Sequence, residues 1–338
     1  MTQKTRYFMF ASAAVLVGGL CTGLVAYYSG FGTTMFRQTS GPAELAYVPA
    51  DAAVVAYANV HDVMTSELRR RLQEVMPPDE EKGREEFKSH TGIDLETDID
   101  YVVASMTPRP GDQGRGEMGF VAFRGRFDEV RLEGLAREHG ATIEDYRGKR
   151  LIRITKAAEA TEHSGAARVP VLTFVEPGLA MFGDETAVRH AIDTRADGRS
   201  VLDNGELMTL VTDVERGANA WAVGRFDLLA AQANLPEGVA SRIPPIKWFA
   251  ARGSVNGGVA GTFRAEANDE EAARNLRDVI NGFMALARLQ AGSQPELQGM
   301  LQTMTLGGSG RTVELSFAIP SEVIDALSAM SKGAHKAP

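Results

Sequence analysis

The chain has a single cysteine, Cys21, and no acidic residue among its first 37. With one thiol no internal disulfide can form, so everything beyond Cys21 must be stabilised by its cores. Histidine is sparse and scattered. His61, His90, His139, His163, His190 and His335 include no pair at three- or four-residue spacing and have no cysteine beside them, which excludes the usual zinc motifs. No G-x-S-x-G elbow occurs. A triad assembled from distant residues is a spatial matter that this absence does not address. The sequence therefore predicts no cofactor, no metal site and no catalytic residue.

The absence of charge from residues 7–28, YFMFASAAVLVGGLCTGLVAYY, is informative in the other direction. As a helix this run is about 33 Å long, against a hydrocarbon core of about 30 Å. It predicts a transmembrane helix. Lys4 and Arg6 precede it and only Arg37 follows closely, so the positive-inside bias puts residues 1–6 in the cytoplasm and the rest outside. A cleaved signal peptide would have a shorter apolar region ending in a small-x-small site, and no good site follows Tyr28. Cys21 raises a lipoprotein alternative, but Leu20 stands where a small residue is wanted and the apolar run continues. Gly19 and Gly23 form a GxxxG pair, a candidate face for helix dimerisation.

With 338 residues, 44% hydrophobic and 24% charged, there is chain enough for two cores. All 44 acidic residues but only 33 of the 36 Lys and Arg follow residue 37, a formal charge of −11 for the exported part. Nucleic acid is thereby disfavoured as a partner, as is an anionic membrane surface.

Residues 29–43 read as a linker. A buried strand, AAVVAYANV, then leads to a helix capped by Asp62 with Met64, Leu68, Leu72 and Val75 at helical spacing. The run GFVAFRGRF alternates, setting Val121, Phe123, Gly125 and Phe127 on one face and Ala122, Arg124 and Arg126 on the other. Asp128 caps the helix that follows. ATIEDY with RLIRIT, and VLTFVE with LAMFGD, read as hairpins before a helix opened by Asp184. After residue 200 the grammar repeats. NAWAVGRF precedes a helix at Asp227, and a hairpin turns at Asn256-Gly257. Asn268 and Glu271 form a capping-box pattern before a helix burying Ala272, Leu276, Val279, Ile280, Phe283 and Ala287. TMTLGG and TVELSFAI make a last hairpin, and SEVIDALSAM a last helix after Pro320. The predicted fold is α+β. A transmembrane helix is followed by a duplicated, mainly antiparallel sheet with helices on one face, in halves 44–200 and 201–331, with a flexible tail at 332–338.

Gly-Arg-Phe-Asp occurs at residues 125–128 and again at 224–227. Arg126 and Arg225 are the candidate ligand-binding residues, because each precedes a helix N-terminus, where backbone donors and the dipole favour anions. Asp128 and Asp227 would occupy that anion position themselves, which shifts the repeat from a site towards a strand-to-helix joint. Gly114, Gly116 and Gly119 spell GxGxxG, but a loop precedes and a strand follows, which is wrong for a dinucleotide. Asp94, Glu96, Asp98 and Asp100 alternate without the glycine and glutamate of an EF-hand loop. Arg69, Arg70 and Arg71 read as a solvated helix face.

The stretches LAYVPADAAVVAYANV and HTGIDLETDIDYVV resemble a family of uncharacterised, membrane-anchored exported bacterial proteins. The resemblance covers the first third of the chain and implies a bacterial inner-membrane location, with no catalytic residues to carry over. The functional expectation is a non-enzymatic binding or scaffolding module whose partner is a cell-envelope protein or the chain itself. The alternatives are a protein holding a lipid or other apolar ligand, or an enzyme with a spatially assembled site.

Overall fold

A computed structural model describes residues 41–67, 69–70, 78–94, 96–108, 117–154, 170–226, 244–255, 258–292 and 295–321. Among them no helix is long and apolar enough to cross a membrane, and the span expected at residues 7–28, with Gly19 and Gly23, lies outside them. A 3₁₀ turn at Ala43–Tyr47 is the first described element. The elements of the first half are β1 (Val54–Asn59), α1 (Val60–Met64), α2 (Pro78–Thr91), β2 (Ile99–Pro108), β3 (Glu117–Gly125), α3 (Glu129–Glu138), β4 (Thr142–Tyr146), β5 (Lys149–Arg153), β6 (Pro170–Glu176), β7 (Leu179–Asp184) and α4 (Glu185–Asp197). Then come α5 (Gly205–Glu215), β8 (Ala220–Arg225), β9 (Ile246–Ser254), β10 (Gly258–Ala267), α6 (Glu270–Ala291), α7 (Pro295–Thr303), β11 (Thr305–Gly307) and β12 (Thr312–Pro320).

The strands join into one twelve-stranded sheet, in the order β11-β12-β10-β9-β8-β1-β2-β3-β7-β6-β5-β4. Every neighbouring pair is antiparallel, so the fold is α+β. The two halves meet at β1 and β8, paired from Val54↔Gly224 to Ala58↔Ala220. Read outward from that seam, one arm runs β1-β2-β3-β7-β6 and the other β8-β9-β10-β12-β11. In each arm the third strand leads into a helix, and its outer neighbour is the last strand of that half. The first arm alone continues into the hairpin β5-β4.

The alternation read in GFVAFRGRF holds. Phe120 and Ala122 enter one core, while Val121, Phe123 and Phe127 pack in another on the opposite face. The expectation of helices on one face does not hold. On one side α4 and α5 bring Val188, Ile192, Leu207 and Val211 against Val55, Val103, Trp221 and Trp248. On the other, α6 sets Ala272, Ala273 and Leu276 against Ala265 and Val313. Ala265 pairs with Phe249, and successive residues of a strand face opposite ways, so α6 lies on the side away from Trp248. The reason is in the central strands. VVAYAN, AWAVGR and WFAA are apolar at nearly every position, so both faces must be covered, which an alternating strand would not require.

Two caps shift by a few residues. Asn59 rather than Asp62 caps α1, its side chain accepting from Asp62 N–H, because the helix starts directly at the strand end. Asp269 rather than Asn268 caps α6, accepting from Ala272 N–H at 2.8 Å. Asp128 and Asp184 cap α3 and α4 as expected.

Candidate functional site

The two Gly-Arg-Phe-Asp repeats are strand-to-helix joints of different rank. Gly125 ends β3, the third strand of its arm, whereas Gly224 lies in β8, the first of the other. Both glycines permit a close approach. A Cβ on Gly125 would lie 2.1 Å from the Asp98 carbonyl oxygen, and one on Gly224 would lie 2.4 Å from that of Ala53. Gly125 pairs with Ile99 at the start of β2, while Gly224 pairs with Val54, which pairs with Met106 near the end of β2. Arg126 and Arg225 therefore sit at opposite ends of the strands, and the structure does not bring them together. Arg126, with a side chain 72% exposed, donates to the Thr97 carbonyl and pairs with Asp98 at 3.3 Å. Arg225 lies over the Trp248 ring at 6.0 Å. Trp248 in turn donates through Nε1 to Glu206 at 2.6 Å. Asp128 holds the Arg131 N–H at 2.9 Å, and Asp227 lies outside the described residues.

The other sequence candidates are absorbed by structure. Glu96 accepts from Arg69 and Arg84, Asp94 from Lys88, and Asp98 caps the Asp94 N–H. Arg69 is not part of a solvated face, since its side chain is only 12% exposed against Glu96. His90 is exposed on α2 and His139 at the C-cap of α3, while His163 and His335 lie outside the described residues. Among the described residues no three His, Cys, Asp or Glu side chains group as metal ligands.

Sequence reading missed Glu44. Its carboxylate, 1% exposed, lies in the 3₁₀ turn and accepts from Arg124 through Nε at 2.9 Å and Nη2 at 2.5 Å, and from Tyr101 Oη at 2.8 Å. Arg124 also reaches the Pro177 carbonyl at 3.3 Å, while the Tyr47 hydroxyl donates to Glu176 at 2.8 Å. Tyr57 continues the cluster, its ring 5.6 Å from Tyr101 and 5.7 Å from Trp221. Burial, followed by the nearby carboxylates, pushes the Tyr47, Tyr57 and Tyr101 phenols above their ordinary range. Burial opposes the Arg124 charge, but the Glu44 hydrogen bonds and charge outweigh it and raise its pKa. These groups satisfy one another, so the cluster acts as a clasp that pins the 3₁₀ turn at Ala43–Tyr47 to β2 and β3.

A second network ties the β4-β5 hairpin to α4. Arg153 grips Glu185 with two bonds, 2.8 and 2.6 Å, and Arg189 bridges Glu185 to Glu144. Hydrogen bonding from Arg153 first, helped by Arg189, lowers the Glu185 carboxyl to about 2.

One exposed feature is apolar. On α6, Phe283 is 64% exposed, Leu286 39% and Leu289 79%. The sequence placed Phe283 on the buried face with Ala272, Leu276 and Ile280. The apolar cluster under α6 ends at Ile280, and beyond it Met284 and Ala291 are the buried positions, so the covered arc turns away from Phe283. Between Asp278 and Glu296 the one charged residue is Arg288. Val130 on α3 and Phe87 on α2 are also exposed. Beyond Ile280 the covered arc of the helix is thus narrower than its apolar arc, which leaves Phe283, Leu286 and Leu289 to solvent. A helix whose sequence stays apolar beyond a single face was the available signal.

No family model matches the chain, and no curated protein matches it. A solved structure that is similar, crystal form I of TP0453, has 10% identity and a TM-score of 0.43, covering 86% of this chain and 98% of that one.

Proposed function

We propose that the chain is a non-enzymatic binding or scaffolding module of the bacterial cell envelope, whose α6 receives a partner protein. Residues 7–28 hold it in the inner membrane with the N-terminus cytoplasmic and the sheet outside. The mirrored strand order of the two arms supports an origin by duplication. One arm has kept its charged clasps and the other has left a helix open.

The observation that carries this reading is the outward stripe Phe283, Leu286 and Leu289. Such residues at spacings of three are how an amphipathic helix enters an apolar groove, and an exposed aromatic beside leucines is typical of an interface anchor. Contiguous apolar surface on a soluble domain marks an interaction site more often than an accident of folding. The charge-poor run around it lowers the desolvation cost of covering it.

The test is a photo-crosslinking residue at position 289 of the full chain in native membranes. We expect one discrete heterologous adduct, lost when Phe283 is replaced by Asp and absent when the probe stands at the exposed Arg274 on the same helix. Adducts equal at both positions, or of the chain with itself alone, would overturn the reading.

A further inference from the structure

We propose that the partner meets α6 with an amphipathic α-helix of its own, laid along the outward face with a bulky apolar side chain over Gly282 and an acidic side chain against Arg288. This inference rests on the preceding reading of α6 as the binding surface and specifies what that surface receives.

The outward face of α6 changes character at one residue. Glu271, Asn275 and Asp278 are exposed on the side turned away from Ala273, Leu276 and Ile280, and they are polar. From Gly282 onward the same side carries Gly282, Ala285, Leu286 and Leu289, exposed and spaced so that they line one face over two turns. Phe283 borders this face on one side and Arg288 on the other. Gly282 itself has ordinary helical backbone, and a Cβ there would meet nothing within 4 Å, so neither a turn nor a close contact inside the chain calls for glycine. Proline apart, it is also the residue least suited to a helix interior. What it does provide is a gap in an apolar face, into which the side chain of a second helix fits and over which two helix axes approach at the short end of their usual 8–10 Å.

Backbone chemistry selects the kind of occupant. Residues 282–287 lie inside α6, where each N–H and C=O is bonded within the helix, so this stretch offers an incoming chain side-chain surface only. An extended segment would lay its own N–H and C=O groups against that surface without partners, whereas a helix arrives with its backbone already satisfied. Charge then sets one flank. Arg288 is exposed, enters no ion pair among the described residues and is the one charged residue between Asp278 and Glu296. A carboxylate beside the partner's apolar stripe complements it, and a cation there would be repelled.

The experiment places a photo-crosslinking residue at position 278 or 289 of the full chain in native membranes and maps by mass spectrometry which partner residue each one joins. The two positions lie on one line of α6, about three turns or roughly 16 Å apart. A partner helix should be joined at sites about eleven residues apart, an extended segment at sites about five apart. Gly282→Leu, which fills the gap, should lower capture at 289 at least fivefold, with a denaturant midpoint at or above that of the parent because nothing inside the chain meets the new side chain. Arg288→Glu should lower capture at least threefold, and Arg288→Lys should leave it near the parental level. If position 289 still captures one heterologous protein while the mapped spacing is near five, position 278 captures nothing, or either Gly282→Leu or Arg288→Glu captures as the parent does, the helical partner fails and the binding surface stands. If position 289 captures no heterologous protein, but only lipid or a second copy of the chain, both fail.

Discussion

The two arms of the sheet share a strand order but are fastened differently. The first is held by buried or half-buried charge pairs: Glu44 with Arg124, Glu185 with Arg153 and Glu133 with Arg150. In the second, apart from Arg277, which donates to the Gly310 and Thr312 carbonyls, α6 meets the sheet through apolar side chains, Ala272, Ala273, Leu276 and Ile280 clustering with Ile246, Phe263, Ala265 and Val313, and ion pairs such as Arg311 with Glu266 lie nearer the surface. Directional bonds fix one geometry, whereas small apolar contacts tolerate sliding. The arm with the looser fastening is also the one with an open apolar stripe, as expected if the first is structural and the second receives partners.

The largest expected effect separates the arms most sharply. Glu44→Ala removes the carboxylate that Tyr101 and the half-buried Arg124 share and should cost about 2–3 kcal/mol in denaturant unfolding, since Arg124 keeps Glu176 and the Pro177 carbonyl nearby. Arg311→Ala in the second arm should cost less than about 1 kcal/mol. Similar small losses would erase the distinction. Next is acid. The Glu185 carboxyl is depressed from 4.5 to about 2 in the fold, so its stabilisation is complete above its unfolded value and is lost as pH falls from about 4.5 through about 2. Fluorescence unfolding across that window should show Glu185→Gln with a flatter pH dependence than the parent. An unchanged acid limb would remove this clasp from the account. The smallest effect should be common to both arms. Asp128→Ala and Asp269→Ala each lose a helix cap and should each cost about 1 kcal/mol. A parental melting curve for Asp128→Ala would instead return the Gly-Arg-Phe-Asp repeat to candidacy as a site.

Sequence revealed the elements whose signals are local. The alternation around Phe123, the cap at Asp128 and the hairpins were legible because each depends on residues within a few positions. Glu44 was not, since its partners Tyr101 and Arg124 lie 57 and 80 residues away, and nothing near Glu44 announces a buried carboxylate. The second helical layer was half visible in the unbroken apolar runs of β1 and β8, since such a run signals burial on both sides but not what covers each of them. Phe283 failed for a related reason. Helical spacing ranks positions around an axis, but it does not tell where along the helix the supporting sheet stops.

The seam between the arms also sets a clock. Ala58 in β1 pairs with Ala220 in β8, so β1 remains a sheet edge until more than half the chain has been made. At roughly 5–20 residues per second that delay is on the order of ten seconds or more, during which a strand built to be buried on both sides has an unpaired backbone. Such an edge invites mispairing with other chains. Synthesis of this chain thus carries a period of vulnerability that ends only when β8 arrives.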